Sequence, residues 1–152
     1  MQSTGPTRAV AWLAAAAPDP DACRREWQRS GAGVTLLPAG RLWDVLLVPG
    51  SLGRPALQVM ERLPRGGPVL WDPGDDSLGF LVPAGTAAHW VGTGVRGAGA
   101  GSWVAVPHPE RRGPGLRWLL APDGSGRLTD PVVLELALHE AAGRLGGPVE
   151  HP

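Results

Sequence analysis

Apolar positions along this chain fall into two spacings, and the switch between them predicts its elements. The run Leu42-Trp-Asp-Val-Leu-Leu-Val48 is almost continuously apolar and is bounded by Ala39-Gly40 and Pro49-Gly50. Such a run predicts a strand buried on both faces, ended by Pro49, which has no N–H for a ladder. Gly33–Leu37 reads as a strand before it, closed by Pro38-Ala39-Gly40, so the two predict a hairpin. Pro68–Asp72 and Ser77–Val82 flank the turn Pro73-Gly-Asp-Asp76 and predict a second hairpin. Trp103–Val106 and Leu116–Leu120 complete about six strands.

Helical spacing appears elsewhere. Val10, Leu13 and Ala17 share one face of a helix over 6–17. Pro18-Asp-Pro-Asp21 breaks it and supplies a new N-cap for a helix over Asp21–Arg29, with Cys23 and Trp27 at i, i+4 and Ser30-Gly31 as its stop. Ser51–Leu63 carries Leu52, Ala56, Val59, Met60 and Leu63 on one face. Pro83–Trp90 reads as a short helix and Gly92–Gly101 as a glycine loop. Thr129 or Asp130 caps a last helix that starts at Pro131 and buries Val133, Leu134, Leu138, Ala141, Ala142 and Leu145. The pattern predicts an α+β fold: a mixed or antiparallel sheet flanked by N-terminal, middle and C-terminal helices. It reads as one domain over 7–145, with frayed ends at 1–6 and 146–152.

Composition narrows the chemistry. The 152 residues carry 43% apolar and 18% charged side chains, with a formal net charge of zero. No apolar run approaches the roughly 18 residues of a membrane span, and a strong non-specific grip on nucleic acid needs a basic excess that is absent. The 14 basic residues are all arginine, which excludes a lysine nucleophile or Schiff base. Cys23 is the one cysteine, so the chain has no intramolecular disulfide and no cysteine-based zinc site. A cytoplasmic location is the expectation.

Several stretches could carry chemistry. Gly92-Thr-Gly-Val-Arg-Gly97 matches G-x-G-x-x-G, but a dinucleotide site needs a helix after it and an acid about twenty residues on. Here a strand follows, and that later region holds Arg117-Trp118. Arg96 with glycine backbone suits a phosphate instead. Asp72, Asp75 and Asp76 sit in turn chemistry rather than in metal-ligand spacing. His89, His108, His139 and His151 show no zinc-site spacing. Gly124-Ser-Gly126 lacks the strand–turn–helix context of a nucleophile elbow. The seven tryptophans lie at core-like positions, although indoles also stack on single-stranded bases.

The order of these pieces resembles the bifunctional DNA primase/polymerase N-terminal domain, of the archaeo-eukaryotic primase-polymerase superfamily, in the short form found in actinobacteria. The likeness runs from about Val34 to Pro131. Leu46-Leu-Val48-Pro49-Gly50 stands where the family has a strand ending in Asp-x-Asp-Pro and a glycine. Pro68–Val82 matches the hairpin that carries the family's histidine, with Gly79 near its place. Gly94-Val-Arg96-Gly97, Trp103–Pro107, His108-Pro109 and Trp118-Leu119 follow in the family's order.

The resemblance implies a primase-polymerase-like fold. It also implies lost chemistry, because the family's two divalent metals need hard carboxylates. Leu46, Val48 and Gly94 stand where the resemblance puts the acids, and Gly79 where it puts the histidine. The expectation is a catalytically degenerate binding or regulatory module without a cofactor. Gly94, Arg96, Gly97, His108 and Arg117 are the candidates for weak binding of nucleotide or single-stranded nucleic acid, and a protein is the other possible partner. Two alternatives stay open. One is an active nucleotidyl transferase using Mg or Mn, with acids displaced to Asp44, Asp72, Asp75 or Asp76. The other is a protein-interaction domain with no nucleotide.

Overall fold

The computed structural model describes residues 5–29, 33–63, 66–92 and 94–146. The expected frayed ends, the Ser30-Gly31 helix stop and His151 fall wholly or partly outside them. The fold is α+β, and the described residues form five helices and seven strands in two antiparallel sheets. In chain order these are α1 (Gly5–Ala14), α2 (Pro20–Arg29), β1 (Val34–Pro38), β2 (Trp43–Pro49), α3 (Gly50–Met60), β3 (Val69–Asp72) and β4 (Ser77–Pro83). α4 (Thr86–His89), β5 (Arg96–Ala98), β6 (Trp103–Pro107), β7 (Arg117–Leu120) and α5 (Pro131–Gly146) follow.

The five-stranded sheet has the order β5-β2-β4-β3-β7. β2 runs inside it, with β4 on one side and β5 on the other. Its alternate residues feed two cores, which accounts for the uninterrupted apolar run. Val45 and Trp43 pack with Leu13, Trp27 and Leu81 under α1, α2 and the β1–β6 pair. Leu46 and Val48 pack with Phe80, Ala56 and Leu138 under α3 and α5. The β3–β4 hairpin is present as expected, closed by 73–76.

The expected β1–β2 hairpin is not. β1 instead pairs antiparallel with β6, from Val34↔Pro107 to Pro38↔Trp103, as a separate two-stranded sheet. Two local features turn the chain away. Gly40 has φ +94, and a Cβ there would lie 2.5 Å from Ala100 Cα. The 99–102 segment therefore crosses directly over the turn, and Ala39 N donates to Ser102 O. That continues the β1–β6 ladder where a hairpin partner would sit.

A second correction concerns the glycine loop. Its middle, Arg96-Gly-Ala98, is a strand on the edge of β2. Gly97 permits this, because a Cβ there would come within 2.8 Å of Ala87 Cβ. Tertiary pairing overrides a stretch with no strand preference of its own.

Helix ends shift as well. α2 starts at Pro20, one residue earlier than expected, and within the Pro18–Asp21 break Asp19 is the cap, accepting from Ala22 N at 3.1 Å. Asp130 caps α5 through Val132 N at 2.9 Å. In α5, Leu134, Leu138 and Ala141 are buried as expected, whereas Ala142 and Leu145 are exposed. Ala142 instead lines an open cavity together with Leu52 of α3.

Candidate functional site

The four positions that the resemblance assigns to metal chemistry are not brought together. Leu46 and Val48 are completely buried, at 0% exposure, on the face of the sheet covered by α3 and α5. Gly79 looks onto the opposite face, where an added Cβ would meet Val45 Cγ1 at 3.1 Å and Leu47 Cδ2 at 3.4 Å. A one-residue change of register moves a strand's side chains to the other face. Val45 and Leu47, rather than Leu46 and Val48, are therefore the β2 residues that share a face with Gly79. In either register the side chains are aliphatic. Gly94 is exposed, with φ +78 and no atom within 4 Å of an added Cβ.

The candidate phosphate ligands are also apart. Arg96 is on β5 and Arg117 on β7, the two edges of the five-stranded sheet. Four strand spacings separate their backbones, about 19 Å. Arg96 lies 3.7 Å from Asp75 in a pair whose side chains are largely exposed. Gly97 lies next to Arg96 in β5, packed against Ala87. Arg117 stacks on Trp71, its Cζ 4.7 Å from the ring centre, and Arg54 lies 4.9 Å from the same ring. His108 is in neither place. It meets Trp27 edge-on at 5.6 Å, and its Nδ1 accepts from Glu110 N at 3.0 Å.

The acids have local partners. Asp72 Oδ1 accepts from Gly74 N at 2.9 Å, and Asp75 Oδ1 accepts from Ser77 Oγ at 2.7 Å. Asp76 Oδ1 accepts from Trp71 Nε1 at 3.0 Å and from Arg54 Nη2 at 3.1 Å. These bonds, the indole's first, hold the Asp76 carboxyl below its ordinary range. Asp44 sits toward the other end of β2, about 17 Å from that turn at strand spacing. It is 1% exposed, and its Oδ2 accepts from Gly85 N at 3.0 Å and Ala87 N at 2.9 Å. Asp44 thereby holds the first turn of α4, whose N-cap Gly85 supplies no side chain. Among the described residues, no group of three His, Cys, Asp or Glu is placed to hold a metal ion.

Two concave regions lie elsewhere. A cavity of about 420 Å³ opens between α3, α5 and the chain after α4, lined by Leu52, Val95 and Leu138, with His89, Glu135 and His139 also around it. The Trp90 Nε1 beside it has no partner. A trough of about 540 Å³ runs between α2 and β1, lined by Ala22, Cys23, Glu26, Val34 and Leu36 among others. Neither was visible from the sequence, because each depends on how α2 and α5 sit against elements remote in the chain. One signal was available for the trough: Val34-Thr-Leu-Leu-Pro38 contains no charge to discourage pairing along an open strand edge.

Cys23, at the base of the trough, is pushed up to about 11 by burial, with Arg24 opposing the shift. It is therefore a packing residue rather than a nucleophile. No helix among the described residues is long and apolar enough to cross a membrane. Comparisons of the chain with protein-family models, with curated proteins and with solved structures return no match.

Proposed function

We propose that the chain is a primase-polymerase-like domain that has lost nucleotidyl transfer and works in the cytoplasm as a binding module. The observation that carries this reading is the sealing of Leu46 and Val48, at 0% exposure, between the sheet and α3 and α5. Neither register of β2 offers a carboxylate beside Gly79, and an aliphatic side chain cannot coordinate a divalent ion. The displaced-acid alternative fares worse on geometry. Asp44 is buried with its Oδ2 accepting from the α4 backbone and its Oδ1 without a partner, and Asp72, Asp75 and Asp76 lie at the far end of the sheet.

Of the two kinds of partner, a protein is favoured. Arg96 is paired with Asp75, Arg117 is stacked on Trp71 and His108 lies against Trp27, whereas β1 offers an unpaired edge beside an apolar trough. The test combines primer synthesis and extension with Mg²⁺ and Mn²⁺ and thermal shifts with nucleoside triphosphates. No product and no shift are expected. A nucleotide at 100 times its dissociation constant would add about 2.7 kcal/mol of stability. A shift in EDTA that disappears in Arg96→Ala would restore nucleotide as the ligand. Template-dependent product abolished by Asp44→Asn would overturn the reading.

A further inference from the structure

Four residues of α5, Glu135, Leu138, His139 and Ala142, line one wall of the cavity of about 420 Å³. Residues at i, i+3, i+4 and i+7 share a helix face, so the cavity sits on one continuous stripe of α5. Leu52 of α3, Val95 and residues 89–92 complete the lining. The volume lies within the range of small-molecule sites, about 300–1,000 Å³, which are mostly apolar with a few placed polar groups. Leu52, Val95 and Leu138 supply the apolar part here.

Glu135 is the one carboxylate in that lining, and no arginine joins it. It is exposed, and among the described residues it has no ion-pair partner. Cations close to it in the chain or beside the lining are engaged elsewhere. Arg144 pairs with Glu140, as Arg62 does, and Arg96, next to Val95, lies 3.7 Å from Asp75. Trp90 adds an indole to the wall but not its N–H. The Nε1 is sealed, and a Cβ on Gly92 would lie 2.6 Å from it. A ligand therefore finds no open indole donor, which an anion would use, and meets ring carbon instead. An aromatic wall beside a carboxylate suits an organic cation, which is drawn to a ring face.

We infer that this cavity binds a small organic amine, with its ammonium group at Glu135 and its apolar body against Leu52, Val95 and Leu138. The imidazoles of His89 and His139 can accept from the same ammonium, since each ring nitrogen without a proton is an acceptor. A metal ion fits less well, because His89, Glu135 and His139 do not stand together as a metal-binding group. An anion would meet the Glu135 carboxylate with no arginine to offset it. The inference goes beyond the binding-module reading and does not depend on it, since neither Gly79 nor any residue of β2 lines the cavity.

Three soluble probes with one common body separate the charge classes: 2-phenylethylammonium, 2-phenylethanol and 3-phenylpropanoate. The readout is residue-resolved chemical shifts of the full chain, titrated at constant pH and salt. With millimolar ammonium probe the largest shifts should fall at Val95, Glu135, His139 and Ala142. The alcohol should act at the same residues with about fivefold weaker affinity, the scale of one exposed ion pair. The propanoate should bind more weakly still.

Glu135→Gln removes the charge at an exposed, unpaired position, so the fold should be kept. It should bring the ammonium probe down to the affinity of the alcohol and leave the alcohol unchanged. Ala142→Leu, also at an exposed position of α5, narrows the cavity and should weaken the ammonium and the alcohol alike. Equal affinity for ammonium and alcohol in the wild type overturns the proposal, as does tighter binding of the propanoate. Ammonium binding that survives Glu135→Gln unchanged overturns it too. So does the absence of any shift at the lining residues with millimolar ammonium probe, which would leave the cavity a packing gap. Primer-extension activity would instead refute the binding-module reading, whatever the titrations show.

Discussion

The main-chain N–H of Gly50 donates to the carbonyl of Asp76 at 2.6 Å, and a Cβ on Gly50 would lie 2.5 Å from that residue's Oδ1. The start of α3 is thus closed by a residue from the β3–β4 turn. α3 has no side-chain cap and no acid in its own first turn. The Asp76 carboxylate places a negative charge where the helix dipole favours one. Trp71 and Arg54 hold that carboxylate, so it cannot yield freely to an added methyl group. Gly50→Ala should cost about 1–3 kcal/mol in denaturant unfolding. In an Asp76→Ala background the same change should cost less, because the obstructing carboxylate is gone. Equal costs in both backgrounds would place the strain elsewhere.

Asp76 also sets a pH dependence. Its folded pKa is depressed, first by the Trp71 hydrogen bond and then by Arg54. A depressed carboxylate stabilises the fold above its unfolded pKa, about 3.9 for aspartate, and that contribution is lost as pH falls through the lower folded value. Melting temperature followed downward from pH 5 should therefore fall more steeply in the wild type than in Asp76→Asn. Parallel curves would remove Asp76 from the acid limb.

Much of the layout was legible because local signals agreed with the tertiary structure. The run Trp43–Val48 shows its two-sided burial directly, and Asp72-Pro-Gly-Asp-Asp76 specifies its own turn. The β1 pairing was hidden, because the approach of Ala100 to Gly40 joins segments about sixty residues apart, and no local propensity encodes such a contact. β5 was hidden for a related reason: Arg96-Gly-Ala98 becomes a strand only beside β2. That Leu46 and Val48 face away from Gly79 was also hidden, since one residue of register reverses the face. The β1 edge was half legible. The absence of charge is in the sequence, but that β6 occupies only one side of β1 is not.

Asp44 is expected to be structural. Its Oδ2 serves two backbone N–H groups at the start of α4, and hydrogen bonds to a charged group contribute about 1.5–3 kcal/mol each. Asp44→Ala should destabilise by about 2–4 kcal/mol, and Asp44→Asn by less, because an amide oxygen can still accept. Calorimetric unfolding of the two variants tests this. Wild-type stability in Asp44→Ala would return the residue to the list of functional candidates.

The Cys23 thiol, raised to about 11, should react slowly with a disulfide reagent at pH 8. Its thiolate fraction there is about a hundredfold below that of an ordinary cysteine with a pKa near 8.5–9. A raised thiol pKa stabilises the fold below the unfolded value, and that contribution is lost as pH rises toward the folded one. Stability should therefore decline between about pH 8.5 and 11 more in the wild type than in Cys23→Ala. Rapid labelling of the native chain at pH 8 would contradict the burial.

Leu46 and Leu36 are both leucines in strands, and they should behave oppositely. Leu46 is 0% exposed and packed against Phe80, Ala56 and their neighbours, whereas Leu36 is 61% exposed on the ribbon. Truncating a buried leucine removes its transfer free energy and leaves a cavity, at a cost of about 2–5 kcal/mol. Truncating a largely exposed one changes stability by about 0.5 kcal/mol or less. Leu46→Ala should therefore lower the denaturant midpoint strongly, and Leu36→Ala should leave it nearly unchanged. The contrast separates the two roles assigned to apolar side chains in this chain. At Leu46 the apolar group fills the position where the resemblance expects a metal-binding acid, and the fold depends on it. At Leu36 the side chain stands on the open face of the ribbon, and the fold does not depend on it. A cost below roughly 0.5 kcal/mol for Leu46→Ala would sink the first assignment. A cost for Leu36→Ala as large as that of a buried leucine would show that the ribbon's outer face is already covered, and would sink the second.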